Sequence, residues 1–238
     1  MKIGILGDIH GNIEALKTAY QTAVEEGVER IYHLGDLGGY APFVNEVAEF
    51  LIEKNIEGVQ GNYDEAIAYD KTHCGCKYED DFQAKMAQLS FDWTKRAVNE
   101  KTKNYMKNLP FSISLQVEER KIKIFHATPI KNNLYWYEER EEKFYLLMAQ
   151  KAEAEIMIYG HTHIPYFKKI KDFYFINAGS VGKPKDGDPR TCICIVDIKR
   201  KDVNVSFIRK SYDVKKVANA IIESGLPEYF AERLILAK

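Results

Sequence analysis

The first sixty residues repeat one unit, and this repetition limits the fold more than any other feature of the chain. A short apolar run leads into a Gly/Asp-rich loop and then into an amphipathic segment. KIGILG is followed by DIHGN and IEALKTAYQTAVEEG, RIYHLG by DLGGYAP and FVNEVAEFLIEKN, and IEGVQ by GNYD. Strands alternating with helical patterns predict right-handed βαβ crossovers and a sheet with parallel strands. Residues 65–108 read as mostly helical, broken by a loop around His73–Lys77. SISLQVEERKIKIFHA reads as a strand pair turning at Glu118–Arg120, and EEREEKFYLLMAQKA as a helix. EIMIYG is a buried strand ahead of the loop GHTHIP. PYFKKIK, DFYFINA, TCICIVDI and VNVSFIRK are strand-like, and DVKKVANAIIESG and PEYFAERLILA are helices. The expected fold is α/β, with two mixed β-sheets packed as a sandwich and helices outside. It is expected to form a single domain over residues 1–238, with a mostly helical insertion around residues 65–110.

Five loops carry the residue types that do chemistry: Asp8-x-His10, Gly35-Asp36, Gly61-Asn62-x-Asp64, His126, and Gly160-His161-x-His163. Each follows a short apolar strand. Ligands of α/β sheets gather beyond the carboxyl ends of strands, so the chain directs all five groups to one rim. The donors are carboxylates, one amide oxygen and four imidazoles, with no thiolate. Mixed oxygen and nitrogen ligation suits manganese, iron, zinc, cobalt or nickel better than magnesium or calcium. Asp8, His10, Asp36, Asn62, His126, His161 and His163 are too many for one ion with an open position. They suit two divalent ions sharing a carboxylate, an arrangement that clamps both oxygens of an in-line displacement. Gly7, Gly35, Gly61 and Gly160 stand directly before the first ligand of their loops, where a missing Cβ permits a sharp turn and close backbone approach. Asp8 and Asp36 also suit helix N-caps. Asp64 reads as a support for a ligand or as the cap of the helix that follows it.

In this order, D-x-H, G-D, G-N-x-D, H and G-H-x-H resemble the calcineurin-like metallophosphoesterase superfamily. The motifs span Asp8 to His163, and GDLGGYAP and GSVGKPKDGDPR (Gly179–Arg190) extend the likeness to its compact bacterial and archaeal members. The resemblance implies that Asp8, His10 and His163 bind one metal, that Asn62, His126 and His161 bind the other, and that Asp36 bridges them. It implies hydrolysis of a small phosphodiester or phosphomonoester by a hydroxide held between the ions, with manganese the foremost candidate in activity. Many members carry His after the Asn, where it contacts phosphate or protonates the leaving group. Here Tyr63 holds that position, and a phenol with a pKa near ~10 is a poor acid at neutral pH. The expected catalytic set is therefore Asp36, Asn62, Tyr63 and Asp64, acting on a good or moderately good leaving group. The usual His-Gly is His126-Ala127 here.

Tyr63, Tyr40, Lys183 and Arg190 are candidate substrate contacts, and Lys183, Lys185 and Arg190 lie in one Pro/Gly-rich loop that could meet a phosphate. A solvated turn, or an Arg190 that ties its loop down, reads equally well. Tyr135, Trp136 and Tyr137 suit either a pocket wall or core packing. His33 reads as packed within the sheets and His73 as surface. Cys74 and Cys76 sit in a loop open to a metal or a disulfide, although their spacing is tighter than zinc sites prefer. Cys192 and Cys194 alternate along a strand and read as packing.

Balanced charge, with a formal net of -1 over 238 residues, argues against a general polyanion surface. A nucleic-acid partner is therefore not expected, and the charged turn at 198–202 does not change that. No apolar run approaches the roughly 20 residues of a membrane span, and MKIGILGD does not read as a signal peptide. The reading is a cytoplasmic protein with free thiols and no membrane partner. Oligomeric state stays open, a homo-oligomer included. The alternative to an enzyme is a catalytically weak or inactive binding scaffold of the same fold.

Overall fold

The computed structural model describes residues 1–200 and 202–238. Strands β1 (Lys2–Leu6), β2 (Arg30–His33) and β3 (Glu57–Gly58) are joined by helices α1 (Ile13–Glu25) and α2 (Val44–Glu53). Helices α3 (Asn62–Ala68), α4 (Asp81–Ala97) and α5 (Glu100–Asn108) follow. Next come strands β4 (Ser112–Val117) and β5 (Arg120–Phe125), helix α6 (Glu142–Ala152) and strand β6 (Ile156–Tyr159). Strands β7 (Tyr166–Ile170), β8 (Phe173–Asn177), β9 (Thr191–Ile198) and β10 (Val203–Lys210) precede helices α7 (Val214–Glu223) and α8 (Glu228–Leu236).

The strands form two five-stranded mixed sheets, ordered β10-β9-β1-β2-β3 and β4-β5-β6-β8-β7. β1, β2 and β3 run parallel, as do β5, β6 and β8. Strand alternation explains the layering. Ile156 and Ile158 of β6 pack between the sheets with Ile3, Ile5, Cys194 and Val196. Met157 and Tyr159 face outward, where Tyr145 and Met148 of α6 cover them. Ile193 and Ile195 of β9 pack with Leu16 and Ala19 of α1 on the other outer face. The result is the α/β sandwich flanked by helices that the sequence pattern implies.

Side-chain caps set several helix starts: Asn12, Asp80, Asn99 and Asp213 each accept a backbone N–H at 2.7 to 3.1 Å, a contact worth about 1 kcal/mol. Asn12 is the cap of α1, and Phe43 stands at the start of α2. Asp8 and Asp36 therefore cap neither helix, which removes the alternative reading of both. In the 198–202 turn, Lys199 and Asp202 exchange backbone hydrogen bonds, and residue 201 lies outside the described residues. Among the described residues no helix is long and apolar enough to cross a membrane.

Candidate metal centre

β1, β2, β3, β5 and β6 all end at one rim, and the loops leaving them bring seven side chains together. Asp8, His10, Asp36, Asn62, His126, His161 and His163 are all buried. Five of them, Asp8, His10, Asp36, His161 and His163, adopt φ between 31° and 66°. That region strains a residue with a Cβ, and it persists only where surrounding bonds over-determine the backbone. Here they do. The Asp36 carbonyl accepts the N–H groups of Ile9 and His10, and the Asp8 carbonyl accepts the Gly182 N–H and the Ser180 hydroxyl. Close approach also fixes two glycines. A Cβ on Gly160 would collide with the Asp8 carboxylate, and one on Gly35, at φ +84°, with the backbone of Gly61.

Carbonyl partners set three imidazole tautomers. Nδ1–H of His10 donates to Gly38 O at 2.8 Å, that of His126 to Leu34 O at 2.7 Å, and that of His163 to Lys183 O at 2.6 Å. A carbonyl can only accept, so each Nε2 is left with its lone pair turned inward. Nε2 of His10 lies 3.1 Å from Nε2 of His163, and Nε2 of His126 lies 3.2 Å from Nδ1 of His161 and 2.9 Å from Asn62 Oδ1. The Asn62 amide is oriented by its Nδ2, which donates to Cys74 O. Asp8 Oδ1 is 3.6 Å from His163 Nε2. Asp36 stands between the two sets, with Oδ2 3.7 Å from His10 Nε2 and Oδ1 3.7 Å from His126 Nε2.

Two groups able to hold a metal ion result, Asp8 with His10 and His163, and Asp36 with His126 and His161. Lone pairs pointing at one another repel, and the buried Asp8 Oδ1 has no hydrogen-bond partner among the described residues. Cations between these atoms relieve both defects, so the donor set fits divalent ions. Burial holds His10, His161 and His163 well below the usual imidazole range, in the neutral form a ligand needs. Burial pushes the Asp8 carboxyl up to about 7. Burial also raises the Asp36 carboxyl well above the usual carboxylate range, with the Asp64 charge adding to it. Without counter-charge, two desolvated acids are costly here.

A calcineurin-like phosphoesterase superfamily domain matches residues 1–201. The chain belongs to this superfamily. It is 28% identical to the uncharacterized protein MJ0912 of Methanocaldococcus jannaschii, over 99% of this chain and 98% of that one. It is also 28% identical to the phosphodiesterase MJ0936 of the same organism, over 85% and 96%. A metallophosphoesterase from Sphaerobacter thermophilus superposes at a TM-score of 0.79, with 26% identity and coverage of 100% and 99%.

Against the phosphoesterase pattern, Asp64 takes a supporting position. Its carboxylate accepts the N–H groups of Asp36 and Leu37 at 2.8 and 2.9 Å, and that of Gly61 at 2.9 Å. It caps α3 and holds the Asp36 loop in place at once. Asp64→Ala strands three buried N–H groups, each worth about 1–3 kcal/mol. Urea unfolding should show a loss of about 3 kcal/mol or more, and a loss below ~1 kcal/mol would remove Asp64 from this role.

Tyr63 departs from the expected substrate contact. It is fully buried against Phe91 and Tyr40, and its hydroxyl reaches Ser90 Oγ at 3.4 Å. The reason is its place in the first turn of α3, whose buried face packs into the helical layer. A phenol with no exposed surface offers nothing to a substrate. Tyr63→Phe should therefore change turnover of an aryl phosphodiester by less than about threefold, since one long neutral hydrogen bond is lost. A drop beyond tenfold would bring the hydroxyl back into the chemistry.

Arg190 is also displaced from the centre: it is exposed and doubly bonded to Asp188, so it ties its own loop. Tyr40 and Lys183 stay close, with the Tyr40 ring 4.8 Å from the His10 ring and Lys183 Nζ 4.8 Å above Tyr40. The aromatic triplet divides. Trp136 stacks on Tyr159 in the core, whereas Tyr135 lies 4.2 Å from the His161 ring. Cys74 and Cys76 are free thiols, their sulfurs 2.9 Å apart, and Cys76 Sγ accepts from Asn62 Nδ2 at 3.2 Å. His33 is buried against Tyr105, and His73 is exposed. Lys185, a candidate phosphate contact from its loop, lines a cleft beside the centre with Cys76 and Arg233. Arg233 carries no signal in the sequence, because no local spacing joins it to the centre.

Proposed function

We propose that the chain is a metal-dependent hydrolase of small phosphodiesters or phosphomonoesters, with Asp8, His10 and His163 holding one divalent ion and Asn62, His126 and His161 the other. Asp36 serves both. The observation that carries this reading is the Asp36 carboxylate, whose two oxygens face a lone-pair nitrogen of each set at 3.7 Å. Two bound ions would polarise the phosphoryl oxygens and make hydroxide available near neutral pH. The chain's own part is orientation and exclusion of water. Backbone carbonyls fix the imidazole tautomers, Asp64 holds the Asp36 loop, and burial keeps the local dielectric low. Lys183 and Lys185 add positive charge at the mouth.

Manganese is the preferred ion in activity, with iron, zinc, cobalt and nickel compatible with the same donors. A diester preference is supported by the phosphodiesterase among the relatives. We read the chain as one domain with α3–α5 as a helical insertion, and its free cysteines suit the reducing cytoplasm. A full ligand set supports catalysis over an inactive scaffold. The test is to load purified protein with Mn2+ and assay bis(p-nitrophenyl) phosphate and p-nitrophenyl phosphate. Turnover of at least one is expected, and turnover of neither with two ions bound per chain would overturn the proposal.

A further inference from the structure

Beside the candidate centre lies a cleft that carries more positive charge than one phosphoryl group requires. Its walls reach both metal groups, since Tyr40 packs on His10 and Tyr135 packs on His161. Lys183, Lys185 and Arg233 line the same cleft, with Lys77 at its edge, and no carboxylate does. Lys183 is only 6% exposed. Its Nζ is engaged by the main-chain oxygen of Lys238, the last residue, at 3.3 Å and by the Tyr40 ring. Lys185 is half-buried, and Arg233 stacks on Tyr229. Among the described residues neither Lys185 nor Arg233 lies within ion-pair distance of an Asp or Glu carboxylate. Burial and mutual repulsion lower the pKa of Lys183, and burial lowers that of Lys185. The cleft continues outward past Tyr137 and Arg140, where Glu79 is the one acid lining it.

Half-buried cations without a partner are costly, and meeting an anion in function offsets that cost. Charge counting says which anion. Two divalent ions held by two carboxylates keep a net charge of about +2, or about +1 with the hydroxide bound, which one phosphoryl group offsets. Lys185 and Arg233 are surplus to that. We propose that the cleft binds a second phosphoryl group of the substrate, so that the preferred substrates are organic esters carrying two phosphoryl groups. This rests on the phosphoesterase reading for the site of hydrolysis, and it adds the substrate class. Arg233 supplies a planar fork matched to phosphate oxygens, and the lysines supply point charges.

Calorimetry on the manganese-loaded protein tests this without needing turnover. The probes are α,β-methylene adenosine 5'-diphosphate and adenosine 5'-monophosphate, with metal content and ligand integrity checked after each titration. The diphosphate should bind at least about tenfold more tightly. Lys185→Gln and Arg233→Gln should each weaken it by about tenfold, as loss of a charge-assisted contact does, and so collapse the preference. Lys185→Arg and Arg233→Lys keep the charge and should keep the preference. Equal affinities in the wild type would overturn the proposal. So would a diphosphate preference that survives both charge removals, since the ions alone would then account for it. A preference that behaves as expected in a protein with no esterase turnover would sink the hydrolytic reading and leave this one standing.

Discussion

Asp36→Asn is expected to lower metal-dependent turnover of bis(p-nitrophenyl) phosphate by at least about 100-fold while leaving the chain folded. The magnitude follows from position. Substituting a residue that merely orients a metal ligand costs 10–100-fold, and Asp36 presents one oxygen to each half of the centre. An amide keeps a single acceptor oxygen and loses the negative charge, so one half loses its donor and both lose counter-charge. Folding is spared because the retained oxygen can still accept the Tyr63 N–H, which now bonds Asp36 Oδ1 at 2.9 Å. Relief of repulsion from Asp64 also favours the neutral side chain. Steady-state rates with metal content measured on the same sample give the answer. Turnover within tenfold of wild type would mean that Asp36 is not shared, and the dinuclear reading would fall with it.

Removing metal should cost more stability than any single substitution outside the core. The centre packs two raised carboxyls and three neutral imidazoles into a buried volume, and leaves lone pairs facing one another. A ligand that binds only the folded state stabilises it by about 2.7 kcal/mol at a hundredfold excess over Kd. Two such sites supply about 5 kcal/mol. For a chain of 238 residues, each kcal/mol moves Tm by roughly 2–4 °C. Scanning calorimetry of chelator-treated and manganese-reloaded protein should therefore differ by roughly 10–20 °C. In Asp36→Asn the increment should fall to about half or less. A Tm indifferent to saturating metal would show that the seven side chains bind no ion, whatever their geometry suggests.

The contrast between Asp8 and Tyr63 shows how far a sequence can be read. Asp8 follows β1 within two residues, behind a glycine, in a loop whose pattern recurs after β2 and again after β6. Strand direction and sheet connectivity carry such residues to one rim, so their convergence can be anticipated without coordinates. Tyr63 holds the position where many superfamily members carry a His, and that resemblance suggested a contact with substrate. Its direction depends instead on the helical face it occupies and on Ser90 and Phe91 of α4, which bury it. Arg190 misleads in the same way: a basic residue in the right loop turns to Asp188 rather than inward.

Sequence alone determined the layered α/β architecture, the strand-end loops and the identity of the seven candidate donors, because all three are written in short-range periodicity and strand-to-loop spacing. Only the tertiary structure decided which nitrogen each imidazole turns inward, that Asp64 braces Asp36, that Tyr63 is buried, and that Lys183, Lys185 and Arg233 share a cleft with Tyr135. These depend on contacts such as His126 to Leu34, 92 residues apart, and His10 to His163, 153 apart. The physical reason is that a side chain's direction and charge environment are set by packing among distant segments, and local propensity is blind to neighbours it has not yet met.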